Sequence, residues 1–172
     1  MRSVARDCYL LTISQSLCPY SMPLFYLNAM TYDYKEKKTV AVLAANLEPG
    51  VALNVVGHLA ISLGAYAEKD LMGRSKLVDA SGVSHVGISK YPVIITKVKA
   101  GRVRQLIHEA KQHPNDILII DYPEQMLTTG HDDELAEAIS TTKEEEINYF
   151  GAILYGKSEL INTLTGKFSL WR

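Results

Sequence analysis

At 172 residues, with 47% apolar and 22% charged content, the chain has material for one globular domain of α/β size whose core folds without staples. A formal net charge of -1 and a pI near 6.5 give no overall electrostatic argument for nucleic acid or an acidic membrane. Cys8 and Cys18 are the only cysteines, so the main body has no disulfide framework and no Cys-based metal site, which favours a reducing cytoplasm.

Residues 1–35 lack helix or strand periodicity and contain Pro19 and Pro23. Arg2 and Arg6 precede YLLTI in the manner of a signal peptide, but Ser14, Gln15 and Ser16 break the apolar run. The expectation is a poorly ordered leader or an overlong gene start, followed by a single domain over 36–172. No run approaches the roughly 18 apolar residues of a membrane-spanning helix, so a soluble protein with no membrane partner is expected.

From Lys38 the pattern alternates. TVAVLAAN (39–46) is a continuous apolar run suited to a strand covered on both faces, and Pro49-Gly50 opens a long helix to about Ala67. Within that helix Asn54, His58 and Ser62 recur every four positions and form a polar stripe, while Gly57, Ala60, Gly64 and Ala65 are small enough to let another element approach. SKLVDA (75–80) and YPVIITKV (91–98) read as strands, the second beginning at an edge or bulge because of Pro92. The polar, glycine-containing stretch 79–90 is expected to loop over a site. Val103, Leu106, Ile107 and Ala110 mark an amphipathic helix over 101–112, ended by His113-Pro114. DILIID (116–121) is a buried strand, HDDELAEAIS starts a helix with acids in its first turn, and NYFGAILYG (148–156) is a last strand. Lys157 to Leu164 forms a closing helix that stops at Gly166.

Strands separated by helices in this order predict a three-layer α/β/α sandwich with a mostly parallel, mixed sheet of four to five strands. Ligands of such folds gather at the carboxyl ends of the strands. Two segments converge there: the turn from Asn46 to Asn54, and Asp121 to Gln125.

The succession KKTVAVLAANLEPGVALNVVGHLAISLGAY, YPVIITKV, IIDYPEQM and LTGKFSLW resembles the peptidyl-tRNA hydrolase II fold, and more closely an uncharacterised bacterial family related to it; the resemblance spans about Lys38 to Arg172. It implies a hydrolase of peptidyl-tRNA type. In that fold a glycine-lysine pair opens the first helix, a glutamine follows one turn later, and a histidine and a strand-ending aspartate lie further along. Aligning His58 with the family histidine keeps Gly50 as the glycine, but places Val51 at the lysine and Val55 at the glutamine. Asp121 stands for the aspartate. A lysine stabilises charge at an ester carbonyl or on a tRNA backbone, and valine does not. The resemblance thus implies the fold, with hydrolase activity lost or altered.

His58 on an apolar helix reads either as a core histidine or, with Asn54 one turn earlier, as a group facing a cleft. Asp121 at a strand end is either a turn former or a catalytic carboxylate. Pro49, Gly50 and Val51 expose backbone N–H groups at the helix start, and Gln125 and Thr128 lie close in sequence to Asp121. No GK[ST] loop, spaced-glycine fingerprint, G-x-S-x-G or closely spaced histidine pair is present, so neither a cofactor nor a metal is expected. Charge is segregated. Residues 97–113 carry Lys97, Lys99, Arg102, Arg104 and Lys111, and 131–146 carry seven acids against Lys143. Such faces lie along RNA, pair with one another or meet across a dimer.

Three functions stay open: a small-molecule or peptide-like ligand bound by Pro49, Gly50, Val51, Asn54, Gln125 and Thr128; a working hydrolase, with tRNA as partner, using His58 and Asp121 as catalytic groups; and a homodimeric interaction module.

Overall fold

The computed structural model describes residues 33, 35–67 and 69–172. The leader expected over 1–35 lies almost wholly outside these residues. The compact unit from Asp33 to Arg172 contains β1 (Lys37–Ala44), α1 (Pro49–Tyr66), β2 (Lys76–Val78), β3 (Ser84–Val86), β4 (Val93–Val98) and α2 (Ala100–Ala110). It continues with β5 (Ile117–Pro123), α3 (Gln125–Thr128), α4 (Asp132–Ser140), β6 (Tyr149–Lys157), α5 (Ser158–Thr165) and β7 (Ser169–Leu170). Among the described residues it is a mixed α/β protein with five α-helices and a five-stranded sheet in the order β5-β6-β1-β4-β7.

The sheet is mostly antiparallel, against the expectation of a mostly parallel one. Only β1 and β4 pair in parallel, joined through α1, while β6 runs antiparallel to both β1 and β5, and β7 antiparallel to β4. The difference goes with α4, of which only Ile139 packs on the core. A parallel crossover needs its helix packed on the sheet, whereas α4 buries none of its residues. The chain leaving β5 therefore returns directly beside it as β6. SKLVDA also differs from expectation: Lys76–Val78 pairs with Ser84–Val86 in a separate exposed hairpin, outside the main sheet.

Alternation along β1 explains its unbroken apolar run. Val40, Val42 and Ala44 pack with Val103, Leu106 and Ile107 of α2 and Ile161 of α5, while Ala41 and Leu43 pack with Ala52, Val55, Leu59 and Leu63 of α1. Both faces of the strand are thus buried, each large side chain contributing about 1.5–3 kcal/mol. Helix α1 passes over Gly151 of β6, where a Cβ would stand 2.7 Å from Leu43 Cδ2 and 3.2 Å from Val55 Cγ1. The glycine sets how close the helix lies. Among the described residues α1 is the one helix long and apolar enough to cross a membrane, but its Ala52, Val55, Leu59 and Leu63 stripe is committed to the sheet.

The basic helix and the acidic segment meet one another. Arg104 donates to the carbonyls of Glu145 and Ile147, and His108 Nε2 lies 2.8 Å from Glu144 Oε1. Tyr149 sits under this junction. Its burial, with the Asp121 and Glu144 charges nearby, pushes the phenol up to about 12. Its neutral form is favoured in the fold, so this stabilisation is complete below the ordinary value of 10 and is lost as pH rises from there to about 12. Melting curves across that window are expected to fall more steeply for the wild type than for Tyr149→Phe; parallel curves would refute the assignment.

Candidate functional site: the seam between α1 and β5

Register aligns the two segments that the sequence placed at one edge. Leu43 near the end of β1 and Tyr122 near the end of β5 both pair with Gly151 of β6, so the two strands end on the same side of the sheet. Helix α1 starts from that side, with Pro49 at its first turn and no side-chain cap. Val51 is half-buried against the α1-side core.

Successive residues of β5 point to opposite faces. Leu118, Ile120 and Tyr122 join the core beneath α1, while Ile117 and Ile119 join the core beneath α2. Asp121 belongs with the second set, where its Oδ2 lies 3.2 Å from Lys111 Nζ. His58 is on α1 and contacts Tyr122. The sheet therefore separates His58 from Asp121, and the two do not form an acid-base pair.

What the seam does assemble is a group around Tyr122. This side chain is fully buried, and its hydroxyl donates to Asn54 Oδ1 at 3.1 Å. The His58 ring meets it edge-on, with centroids 5.8 Å apart and planes at 65°, and Phe150 stacks on it at 6.5 Å and 10°. Burial raises the Tyr122 phenol above its ordinary value, favouring the neutral form that donates. With its oxygen engaged by Tyr122, the exposed Asn54 side chain keeps its NH₂ group as a hydrogen-bond donor, one helical turn from the exposed His58. Ser62, the third member of the stripe, is half-buried.

Of the other expected ligand contacts, Pro49 and Gly50 are exposed at the start of α1. Gln125 begins α3 with its side-chain oxygen buried and without a hydrogen-bond partner, while Thr128 turns its hydroxyl back to the Gln125 carbonyl at 3.3 Å. The 79–90 stretch is anchored at the other end of the sheet. Its anchors Leu71 and Tyr91 sit in the α1-side core, with Tyr91 5.9 Å from Tyr155, at the end of the sheet where β1 begins. Two cavities, of about 390 and 320 Å³, also lie at that far end, one including Lys37, Tyr66, Asp116 and Lys157 and the other Lys38, Pro92 and Asn162. Among the described residues no group of three or more His, Cys, Asp or Glu side chains is arranged to hold a metal.

Sequence reasoning missed Tyr122 and Phe150. The signal was present in DILIIDYP, where period-two counting from the buried isoleucines sends Tyr122 to the α1 side and Asp121 to the other.

The fold has a counterpart. A solved structure of a protein of unknown function from Agrobacterium tumefaciens strain C58 superposes with a TM-score of 0.70 at 20% identity, covering 80% of this chain and 98% of that one. A likeness at that identity speaks to the fold alone. No curated protein matches the sequence. The family model described as a protein of unknown function (DUF2000) matches residues 37–172, and the chain belongs to the DUF2000 family.

Proposed function

We propose that this is a cytoplasmic ligand-binding protein of three-layer, peptidyl-tRNA hydrolase II-like architecture whose hydrolase activity is lost or altered. The parallel β1-α1-β4 unit and the helices on both faces of the sheet support the architecture. The observation that carries the ligand reading is the Tyr122 to Asn54 hydrogen bond. It holds the exposed Asn54 amide by its oxygen and leaves its NH₂ group as a donor one helical turn from the exposed His58 imidazole, an arrangement suited to a carbonyl or amide of a small, peptide-like ligand. Val51 offers no charge to an ester, and Asp121 is engaged by Lys111 on the far face. A tRNA backbone finds little here, because Arg104 and His108 are occupied by the Glu144–Ile147 segment.

N-acetyl amino-acid amides, titrated to millimolar concentration, are expected to shift the His58 imidazole and Asn54 side-chain NMR signals. Asn54→Ala is expected to weaken that binding about tenfold, the loss of one hydrogen bond to a well-placed donor. Unmoved signals in a folded protein would refute the reading. Turnover of peptidyl-tRNA that both His58→Ala and Asp121→Ala abolish would replace it with the hydrolase alternative.

A further inference from the structure

Strand β5 forms one border of the main sheet and β7 the other. The two borders are built differently. β7 is blunted by its length of two residues, Ser169–Leu170, whereas β5 runs for seven, Ile117–Pro123, and begins with four apolar ones. Leu118, Ile119 and Ile120 are only half-buried. The bulge and the proline of β5 come at its end, at Tyr122 and Pro123, and its one charge, Asp121, is held by Lys111. A long apolar edge of this kind is a template for one more strand.

Register identifies the open main-chain groups. Thr39 N–H donates to the Pro92 carbonyl and Ala45 N–H to the Val98 carbonyl, so the odd-numbered residues of β1 turn their main chain toward β4 and the even-numbered ones toward β6. Val40 and Val42 thus bond to Leu154 and Ala152, which leaves Gly151, Ile153 and Tyr155 to bond across to Tyr122, Ile120 and Leu118 of β5. Ile117, Ile119 and Asp121 direct their N–H and C=O groups the other way, off the sheet. Consistent with this phase, the Ile117 N–H bonds back to the His113 carbonyl. Among the described residues, nothing takes up the main-chain groups of Ile119 or Asp121.

This edge joins two features of the molecule. At its start Ile117 and Leu118, with Tyr66, line the cavity of about 390 Å³. At its finish Tyr122 holds Asn54 and meets His58. Between them Leu118 and Ile120 offer apolar surface on the α1 side, and Ile119 on the α2 side. A second copy of the chain suits the edge less well. A strip about 23 Å long and about 10 Å deep gives roughly 230 Å², well short of the 800 Å² or so per copy that a stable dimer buries. In an antiparallel pair of β5 strands centred on Ile119, the Ile117 N–H would also face Asp121 of the partner subunit with its proton already given to His113.

We propose that the ligand of the seam is an extended peptide segment that adds to β5 as a sixth strand, pairing with the main chain of Ile119 and Asp121 and turning its α1-side residues toward Asn54 and His58. This rests on the ligand reading of the seam and names its ligand class.

The probe is a pentapeptide of alternating valine and threonine, acetylated and amidated at its ends, titrated into the full chain. The N–H groups of Ile119 and Asp121 are expected to exchange with solvent at least tenfold more slowly in the complex, while Ile120, already paired with β6, stays unchanged. The same peptide with every amide N-methylated keeps its side chains and loses its donors, and is expected to bind at least 30-fold more weakly. Equal binding of the two peptides, or no added protection of Ile119 and Asp121, overturns the proposal. If N-acetyl amino-acid amides then still shift the Asn54 signals, the added strand alone has failed; if they do not, the ligand reading of the seam has failed with it. Protection of Ile119 and Asp121 that grows with protein concentration in the absence of peptide would assign the edge to a second copy and overturn the proposal as well.

Discussion

Gly156→Ala is expected to destabilise the protein by about 3 kcal/mol or more and to lower its Tm by about 6–12 °C. Gly156 lies on β6, paired with Lys38 on one side and Ile117 on the other, and a Cβ there would stand 2.1 Å from the Asp116 carbonyl oxygen. That neighbour is backbone, not the end of a flexible side chain. A central strand cannot move away from β5 without disturbing its ladder with β1. Thermal denaturation followed by circular dichroism measures the effect, and an unchanged Tm would show that the β5-β6 junction is looser than the register implies.

Tyr122→Ala is expected to cost about 3–5 kcal/mol, as removal of a fully buried aromatic side chain does. The ring fills the space between His58 and Phe150, and its loss leaves a cavity under α1. Tyr122→Phe keeps the ring and removes only the hydroxyl that holds Asn54, at a cost of about 1 kcal/mol. The two variants separate packing from orientation. If Tyr122→Phe keeps most of its stability yet binds N-acetyl amino-acid amides as poorly as Asn54→Ala, the hydroxyl acts by aiming the amide. Undiminished binding by Tyr122→Phe would remove the hydrogen bond from the ligand account.

Local signals in the sequence were read well where one face or both were buried. The run TVAVLAAN gave β1 because its residues alternate between two cores, and Val103, Leu106, Ile107 and Ala110 marked α2 because all four lie buried on one stripe. Strand direction was not legible. The 25 residues between Pro123 and Tyr149 contain helices, as a parallel crossover does, but α4 buries no residue fully and meets the core only through Ile139, and only tertiary packing decides that. The short strands β3 and β7 were missed because three and two residues carry too little periodicity. Helical spacing put Asn54 and His58 on one stripe of α1, and the structure brings both to Tyr122. Which face of β5 each side chain takes, and so the separation of His58 from Asp121, was not read from proximity along the sheet edge.

The position of β6 bears on how the molecule comes into being. It lies between β5 and β1, yet it is the next-to-last strand in the chain. As synthesis proceeds from the N-terminus, β1 and β4 can join through α1, but β5 has no neighbour and β1 keeps one edge open until residues 149–157 emerge. The sheet thus closes late, by a contact of long sequence separation between Lys37 and Lys157. Until then the nascent chain presents unpaired strand edges, and its central strands are held together only when almost the whole domain has been made.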